Sequence, residues 1–288
     1  MDVRTERVNG VELTYLAAGD EGPLAVCLHG FPDTAHTWRH LLPRLAAAGY
    51  RAVAPFLRGY APSAVPADGY YQSAAHSADA LALHEALDGD DEAIIVGHDW
   101  GALIAYAAAV HEPERWRRVV GLAVPPGEAI ANALLGDLDQ LQRSWYMFLF
   151  QHPLADLLVV ADDHALIARL WSQWSPGYDA SIDVANARAA LGAPENVHAA
   201  LGGYRAALGD GPRDPALEQL QAAASTFPPQ PTLYLHGRDD GCIGVTVADA
   251  AASLAPTQCR VHIVDGAGHF VHLERPDVVN EKIMEFLT

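Results

Sequence analysis

The stretch Gly97-His98-Asp99-Trp100-Gly101 decides how this 288-residue chain is interpreted. It follows the apolar run Ala93–Val96, which has the length of a short buried strand, and it precedes a segment rich in alanine. A strand, a turn with glycine at both ends and a helix are therefore predicted in succession. In such a sharp turn the residues two before and two after the centre must be small, because the neighbouring backbone comes close.

The central residue of this turn, Asp99, indicates the chemistry. A Gly-x-nucleophile-x-Gly turn between a strand and a helix presents its middle residue as a nucleophile. Serine at that place is typical of esterases and lipases, whereas a carboxylate forms an ester with carbon. The expected reaction is therefore the opening of a C–O or C–halogen bond.

Composition indicates which binding partners and which cellular location to expect. Acidic residues outnumber basic ones by 36 to 18, for a formal net charge of −18. Nucleic acids and anionic membranes need a cationic face, so neither is an expected partner. The three cysteines lack C-x-x-C spacing, which predicts neither a disulfide framework nor a zinc site. Residues 1–7 are polar, and no apolar run reaches membrane-spanning length, so we expect a cytoplasmic protein.

Strand-like and helix-like runs alternate along most of the chain, which predicts an α/β fold with a mostly parallel sheet flanked by helices. Between residues 128 and 227 the pattern changes to helical segments rich in Leu, Trp and Tyr. We therefore predict a core domain of residues 1–127 and 228–288. An all-helical lid domain of residues 128–227 is predicted after the sixth strand, over the carboxyl ends of the strands.

Individual elements follow from local patterns. Asn9-Gly10 predicts the turn of an early hairpin. Helices are predicted over Trp38–Gly49, with Pro43 in its first turn or kinking it, and over Ala74–Leu87 and Pro276–Leu287. The predicted strands are Val11–Leu16, Leu24–Leu28, Arg51–Pro55, Ala93–Val96, Val119–Val124, Thr232–His236 and Val261–Val264.

Two later positions complete a catalytic set with Asp99. Asp240 follows the predicted strand Thr232–His236, and His269 lies in the glycine-rich loop after the last strand. Asp99, Asp240 and His269 thus occur in the order nucleophile, acid, base. The acid would orient His269, whose other ring nitrogen would activate water. Alternatives remain open at this point: chemistry alone does not separate Asp239 from Asp240, and weaker candidates are Glu128, His262 and His272, while His98 is assigned a structural role.

The turn His29-Gly30-Phe31-Pro32 follows another buried strand and leaves backbone amides free. The amides of Phe31 and Trp100 are the predicted oxyanion hole. Trp100 must line the pocket beside the nucleophile. Phe31 and Trp38 are also assigned to substrate binding, although tryptophans such as Trp38 pack in the core by default.

Four motifs together resemble the epoxide-hydrolase branch of the α/β-hydrolases, which also contains the haloalkane dehalogenases. They are HGFP at 29–32, RGY at 58–60, GHDWGA at 97–102 and GHFVHLERP at 268–276. The resemblance covers essentially the whole chain and implies the α/β-hydrolase fold with an eight-stranded sheet. It favours Asp240 as the acid by its spacing from Gly237. It also departs at one point, because Pro55-Phe56-Leu57 stands where the family usually carries an aspartate; we interpret that position as structural.

The same resemblance implies two lid tyrosines that donate hydrogen bonds to the epoxide oxygen. Segment 144–151 places one role on Tyr146, and segment 203–205 places the other on Tyr204. A phenol with a pKa of about 10 stays neutral at neutral pH and can protonate a developing alkoxide. Aromatic residues on helical lids also serve as packing, which is the alternative role for both.

The leading interpretation is an epoxide hydrolase that converts a small apolar or aryl epoxide and water into a vicinal diol through an ester on Asp99. No metal or organic cofactor is expected. The apolar lid residues carry the substrate prediction; they include Trp145, Met147, Phe148, Leu149, Phe150, Leu157, Leu158, Leu170 and Trp171. A haloalkane-type dehalogenase with the same triad is the alternative, followed by a non-catalytic ligand-binding homologue. A homodimer is compatible with the sequence.

Overall fold

The apolar runs of the sequence form one eight-stranded sheet in the computed structural model, which describes residues 1–288. Its strand order is β1-β2-β4-β3-β5-β6-β7-β8, with β2 antiparallel to both β1 and β4 and every other neighbouring pair parallel. The mostly parallel sheet is confirmed. The strands are β1 (Asp2–Val8), β2 (Val11–Ala18), β3 (Leu24–Leu28), β4 (Arg51–Pro55), β5 (Ile94–His98), β6 (Arg118–Leu122), β7 (Thr232–Gly237) and β8 (Cys259–Val264).

The hairpin at the amino end forms as its turn residues require. Asn9 and Gly10 have φ angles of 46° and 79°, and Val8 pairs with Val11. Two successive positive φ angles define the type I′ turn, whose twist suits a two-residue hairpin and favours Asn-Gly.

Thirteen α-helical elements accompany the sheet, and the longest, Ala155–Trp174, is interrupted at residues 161–164, whose backbone angles are not helical. They are α1 (Leu42–Ala47), α2 (Ser73–Ala86), α3 (Trp100–His111), α4 (Ala129–Gly136), α5 (Leu138–Arg143), α6 (Trp145–Leu149), α7 (Ala155–Trp174), α8 (Ser181–Ala190), α9 (Pro194–Leu208), α10 (Glu218–Ala223), α11 (Val245–Leu254), α12 (Val271–Glu274) and α13 (Pro276–Leu287). No helix combines the length and the hydropathy that crossing a bilayer would require.

One predicted helix is divided in the structure. The segment predicted as a single helix over Trp38–Gly49 is a 3-10 helix, Ala35–His40, followed by α1. Pro43 lies in the first turn of α1, where its missing amide hydrogen breaks no helical hydrogen bond. The proline therefore separates two short helices.

Helices α4 to α10 all lie between β6 and β7, so residues 128–227 (the helical segment) contain no strand. Buried polar contacts connect this segment to the rest of the protein. The Trp171 indole donates to the Pro32 carbonyl over 2.9 Å, and Asn196 donates to the Gly59 carbonyl over 2.7 Å. That the segment acts as a lid stays a prediction.

The loop after β4, where the chain departs from the family pattern, is fixed by a buried cation. The Arg58 guanidinium is 1% exposed and donates to both oxygens of Asp79, on α2, over 2.6 and 2.5 Å. It also donates to the Tyr70 carbonyl over 2.9 Å. The ion pair joins the loop to α2, and the structural interpretation of residues 55–57 stays a prediction.

Candidate active site

The turn between β5 and α3 places Asp99 where the parallel strands end. Asp99 has φ 55° and ψ −122°, a left-handed conformation that non-glycine residues rarely adopt. A Cβ on Gly97 would lie 2.0 Å from the Gly101 carbonyl oxygen, and one on Gly101 would lie 2.1 Å from the Leu28 carbonyl oxygen. Both glycines are therefore required by the close approach of backbone on either side of the turn.

The two carboxylate oxygens of Asp99 have different surroundings. Oδ1 accepts a hydrogen bond of 2.8 Å from the Phe31 amide, and Oδ2 lies 3.5 Å from Nε2 of His269. Asp99 is buried, with 5% of its surface exposed. Burial alone would raise the pKa of Asp99, but the nearby charge of His269 outweighs it, so that pKa lies below its usual value. The Asp99 carboxylate is therefore ionised at neutral pH.

His269 is held by the acid that the sequence favoured. Its Nδ1 lies 2.9 Å from Oδ2 of Asp240, and the other oxygen of Asp240 accepts from the amides of Cys242 and Ile243 over 2.7 and 2.9 Å. Asp239, in contrast, is exposed, and so is Glu128. The structure thus brings Asp99, Asp240 and His269 together and leaves the two alternative acids outside the cluster.

The other candidate histidines have different partners. His98 lies next to the nucleophile, but its Nε2 lies 3.0 Å from the His269 carbonyl oxygen, and a hydrogen bond there supports the loop that carries His269. His272 lies 2.5 Å from the Thr37 hydroxyl and stacks on Trp38. These contacts are structural ones.

The charge balance at His269 is unusual for an imidazole. Burial lowers the pKa of His269, but the neighbouring carboxylates of Asp240 and Asp99 raise it to about 10. His269 is therefore an imidazolium between two carboxylates at neutral pH.

The two predicted tyrosines come from separate helices and meet each other. Tyr146 comes from α6 and Tyr204 from α9, and their rings meet edge to face with centroids 5.8 Å apart. The Tyr146 hydroxyl lies 3.3 Å from the Cys242 sulfur, whereas the Tyr204 hydroxyl is buried without a hydrogen-bond partner. Burial raises both pKa values well above the usual value, so both phenols are neutral donors.

The residues predicted to bind substrate fall into two groups. Phe31 and Trp100 pack edge-on against Tyr204, with ring centroids 5.4 and 5.0 Å away. Trp100 is also the first residue of α3, where amides have no intrahelical acceptor. Trp38 is fully buried and stacks on His272 at 4.8 Å, which favours a packing role over the predicted contact with substrate.

Two features of this region, a cavity and the Cys242 thiol, were not predicted from the sequence. A cavity of about 570 Å³ opens between the start of α2, Trp100, α9 and residues 213–225. Trp100 therefore borders both this cavity and Tyr204. Cys242 contacts Tyr146, and its position two residues after Asp240 is the sequence signal that could have identified it.

Comparisons with known proteins agree with this geometry. The family model described as alpha/beta hydrolase fold matches residues 23–276. Epoxide hydrolase A of Mycobacterium tuberculosis is 31% identical, covering 100% of this chain and 98% of its own. An epoxide hydrolase of Caballeronia sordidicola is 32% identical over 97% and 91% of the two chains. The crystal structure of a Bacillus megaterium epoxide hydrolase with an inhibitor superposes with a TM-score of 0.81 at 26% identity, covering 99% of both chains. The chain therefore belongs to the epoxide hydrolase family of the α/β-hydrolases.

Proposed function

We propose that this protein hydrolyses an epoxide to a vicinal diol through a covalent ester on Asp99. One observation carries the proposal. One oxygen of Asp99 accepts from the Phe31 amide and the other lies beside His269, while burial and the nearby charge of Asp99 raise the pKa of Tyr146 and Tyr204 and keep both phenols neutral. The curated relatives named as epoxide hydrolases support the class of reaction.

The first step opens the ring. Oδ2 of Asp99 forms a bond to an epoxide carbon, and the C–O bond to that carbon breaks. The departing oxygen takes a proton from a tyrosine hydroxyl. We assign this role to Tyr204, which is supported by its buried hydroxyl having no hydrogen-bond partner. An unpaired buried donor costs free energy, which a hydrogen bond to the epoxide oxygen would recover.

Ester formation then changes His269 from an acid into a base. The ester of Asp99 carries no charge, so one of the two interactions that raise the pKa of His269 is lost. The proton that His269 releases restores the phenol. The neutral imidazole, still oriented by Asp240, can now accept a proton from water.

The second step hydrolyses the ester. His269 removes a proton from water as the water oxygen attacks the Asp99 carbonyl carbon, and negative charge develops on Oδ1. The Phe31 amide already donates to Oδ1, and the free amide of Trp100 is the second candidate donor. The bond between Cγ of Asp99 and Oδ2 breaks, and Oδ2 leaves with the substrate as an alkoxide. That alkoxide takes the proton of the Asp99 carboxylic acid that has just formed, which gives the diol and the Asp99 carboxylate.

The aromatic surroundings favour an apolar or aryl substituent on the epoxide. Phe31, Phe150 and Trp100 all pack against Tyr204, with centroids within 5.4 Å of its ring. The broader argument from apolar residues of the helical segment is weaker, since Phe148, Leu157 and Leu158 are 53%, 65% and 43% exposed. Those side chains face solvent. The residues around Tyr204 carry the substrate proposal instead.

A paired assay tests the proposal against the dehalogenase alternative. Wild type and Asp99→Ala would be given aryl and alkyl epoxides and haloalkanes, with diol and halide measured together. We expect diol without halide, abolished in the variant, and no change in Asp239→Ala, whose side chain is exposed beside the proposed acid. Halide release, or diol formation by Asp99→Ala, would contradict the proposal.

A further inference from the structure

Cys242 connects the two halves of the proposed active site. Its backbone amide donates to Oδ1 of Asp240 over 2.7 Å, so it helps to hold the acid that orients His269. Its sulfur lies 3.3 Å from the hydroxyl of Tyr146. The side chain is completely buried. One residue thus contacts both Asp240, which holds His269, and the phenol of Tyr146.

This contact makes the two tyrosines unequal. The Tyr204 hydroxyl has no hydrogen-bond partner, whereas the Tyr146 hydroxyl has the Cys242 thiol. Tyr146 also packs on Trp174 at 4.8 Å and on Phe150 at 5.7 Å, so its ring is fixed and only the hydroxyl hydrogen has freedom. The partner of that hydroxyl therefore decides where the hydrogen points.

A thiol is suited to this place because it binds weakly. S–H is a weak donor, so the thiol can contact the Tyr146 oxygen without holding the phenol's own hydrogen. Burial raises the pKa of the Cys242 thiol well above its usual value, which keeps the sulfur protonated. A protonated thiol is a poor nucleophile and does not compete with Asp99 for the epoxide.

We propose that Cys242 is a positioning residue whose S–H donates to the Tyr146 oxygen, which leaves the Tyr146 hydrogen free to point toward the epoxide oxygen during ring opening; this rests on the proposed function. Its effect belongs to ester formation alone. The amide that supports Asp240 is part of the backbone and stays in any side-chain variant.

A double-mutant cycle tests the proposal. Rapid quenching and mass spectrometry would measure the rates of ester formation and ester hydrolysis for Cys242→Ala in the wild-type and the Tyr146→Phe backgrounds. We expect ester formation about fivefold slower in the first background, the effect of one neutral hydrogen bond, and unchanged in the second. Cys242→Ser should recover part of the rate. Cys259→Ala, another buried cysteine, is the matched control.

A second readout reports the contact without catalysis. In a Cys27→Ala/Cys259→Ala variant the only remaining S–H stretch belongs to Cys242, and we expect Tyr146→Phe to shift its frequency. No shift, or an equal loss of rate in both backgrounds, would overturn the role of Cys242. A wild type that opens no epoxide would instead remove the proposed function itself.

Discussion

At the scale of single residues, Asp99 shows how much local strain the site contains. A non-glycine residue at φ 55° and ψ −122° costs on the order of 1–3 kcal/mol and persists only where its surroundings impose it. The surroundings here are Gly97, Gly101 and the amide of Phe31. Such strain is concentrated at functional sites. The strained backbone of this turn therefore holds the Asp99 carboxylate in its position.

The charge of Asp99 should control the protonation of His269. We expect Asp99→Asn, which imitates the neutral ester, to lower the pKa of His269 from about 10, because one of the two carboxylate interactions is lost. An NMR titration of the His269 ring checks this, with Asp239→Asn as the control. An unchanged pKa in Asp99→Asn would show that His269 needs another way to become a base.

Gly30 should tolerate no side chain. A Cβ there would lie 2.2 Å from Oδ1 and 2.4 Å from Cβ of Asp99. We expect Gly30→Ala to reduce kcat/KM at least about a hundredfold, since misplacing a catalytic group by about 1 Å has that effect. Gly136→Ala is the control because a Cβ there has open space. Equal steady-state kinetics in the two variants would argue against this geometry.

At the scale of elements, the sequence correctly predicted the features that depend on residues close together in the chain. The strand and turn around Asp99 and the Asn9-Gly10 hairpin depend on residues close in sequence, and both form. The division of the helix at Pro43 was missed because either a first-turn proline or a kink fits the sequence. Chemistry alone did not separate Asp240 from Asp239; the family spacing favoured Asp240, and the structure shows it buried. The Cys242 contact with Tyr146 spans 96 residues. Contacts of that range leave no local pattern.

The ion pair between the β4 loop and α2 gives a prediction about stability. Asp79→Ala leaves the buried Arg58 guanidinium without its main partner, and we expect a loss of about 3–5 kcal/mol in the free energy of unfolding. Asp68, 40% exposed and 3.4 Å from Arg58, is the matched control, with an expected loss below about 1 kcal/mol. Denaturant titration checks both. Equal losses in the two variants would mean that Asp79 contributes no more than Asp68, and the stabilisation would then belong to the backbone contacts of the Arg58 guanidinium.

At the scale of the whole molecule, the candidate site lies where loops of the sheet meet the helical segment. The β5–α3 turn supplies Asp99, the loops after β7 and β8 supply Asp240 and His269, and the helical segment supplies both tyrosines. Because parallel strands end at one edge of the sheet, these groups meet although they are far apart in sequence. We propose that the helical segment covers this edge as a lid.

The charged cluster should also make stability depend on pH. The pKa of His269 in the folded protein, about 10, exceeds the unfolded value of about 6.5, so its stabilisation is complete below the lower value and is lost as the pH rises through the higher one. We expect wild type to lose stability relative to His269→Gln between these values. Burial raises the pKa of Asp33 to about 7 in both proteins, so its contribution cancels in the comparison. A constant difference in denaturant titrations across this range would contradict the prediction.

The most direct test of the central claim is one turnover in water enriched in heavy oxygen, with enzyme in excess over an aryl epoxide. Attack by Asp99 transfers an oxygen of the carboxylate to the diol and puts the water oxygen into Asp99. We predict an unlabelled diol and heavy oxygen in the peptide that contains Asp99. A labelled diol and an unlabelled Asp99 would show that water attacks the epoxide directly, and the account of Asp99 as the nucleophile would be wrong.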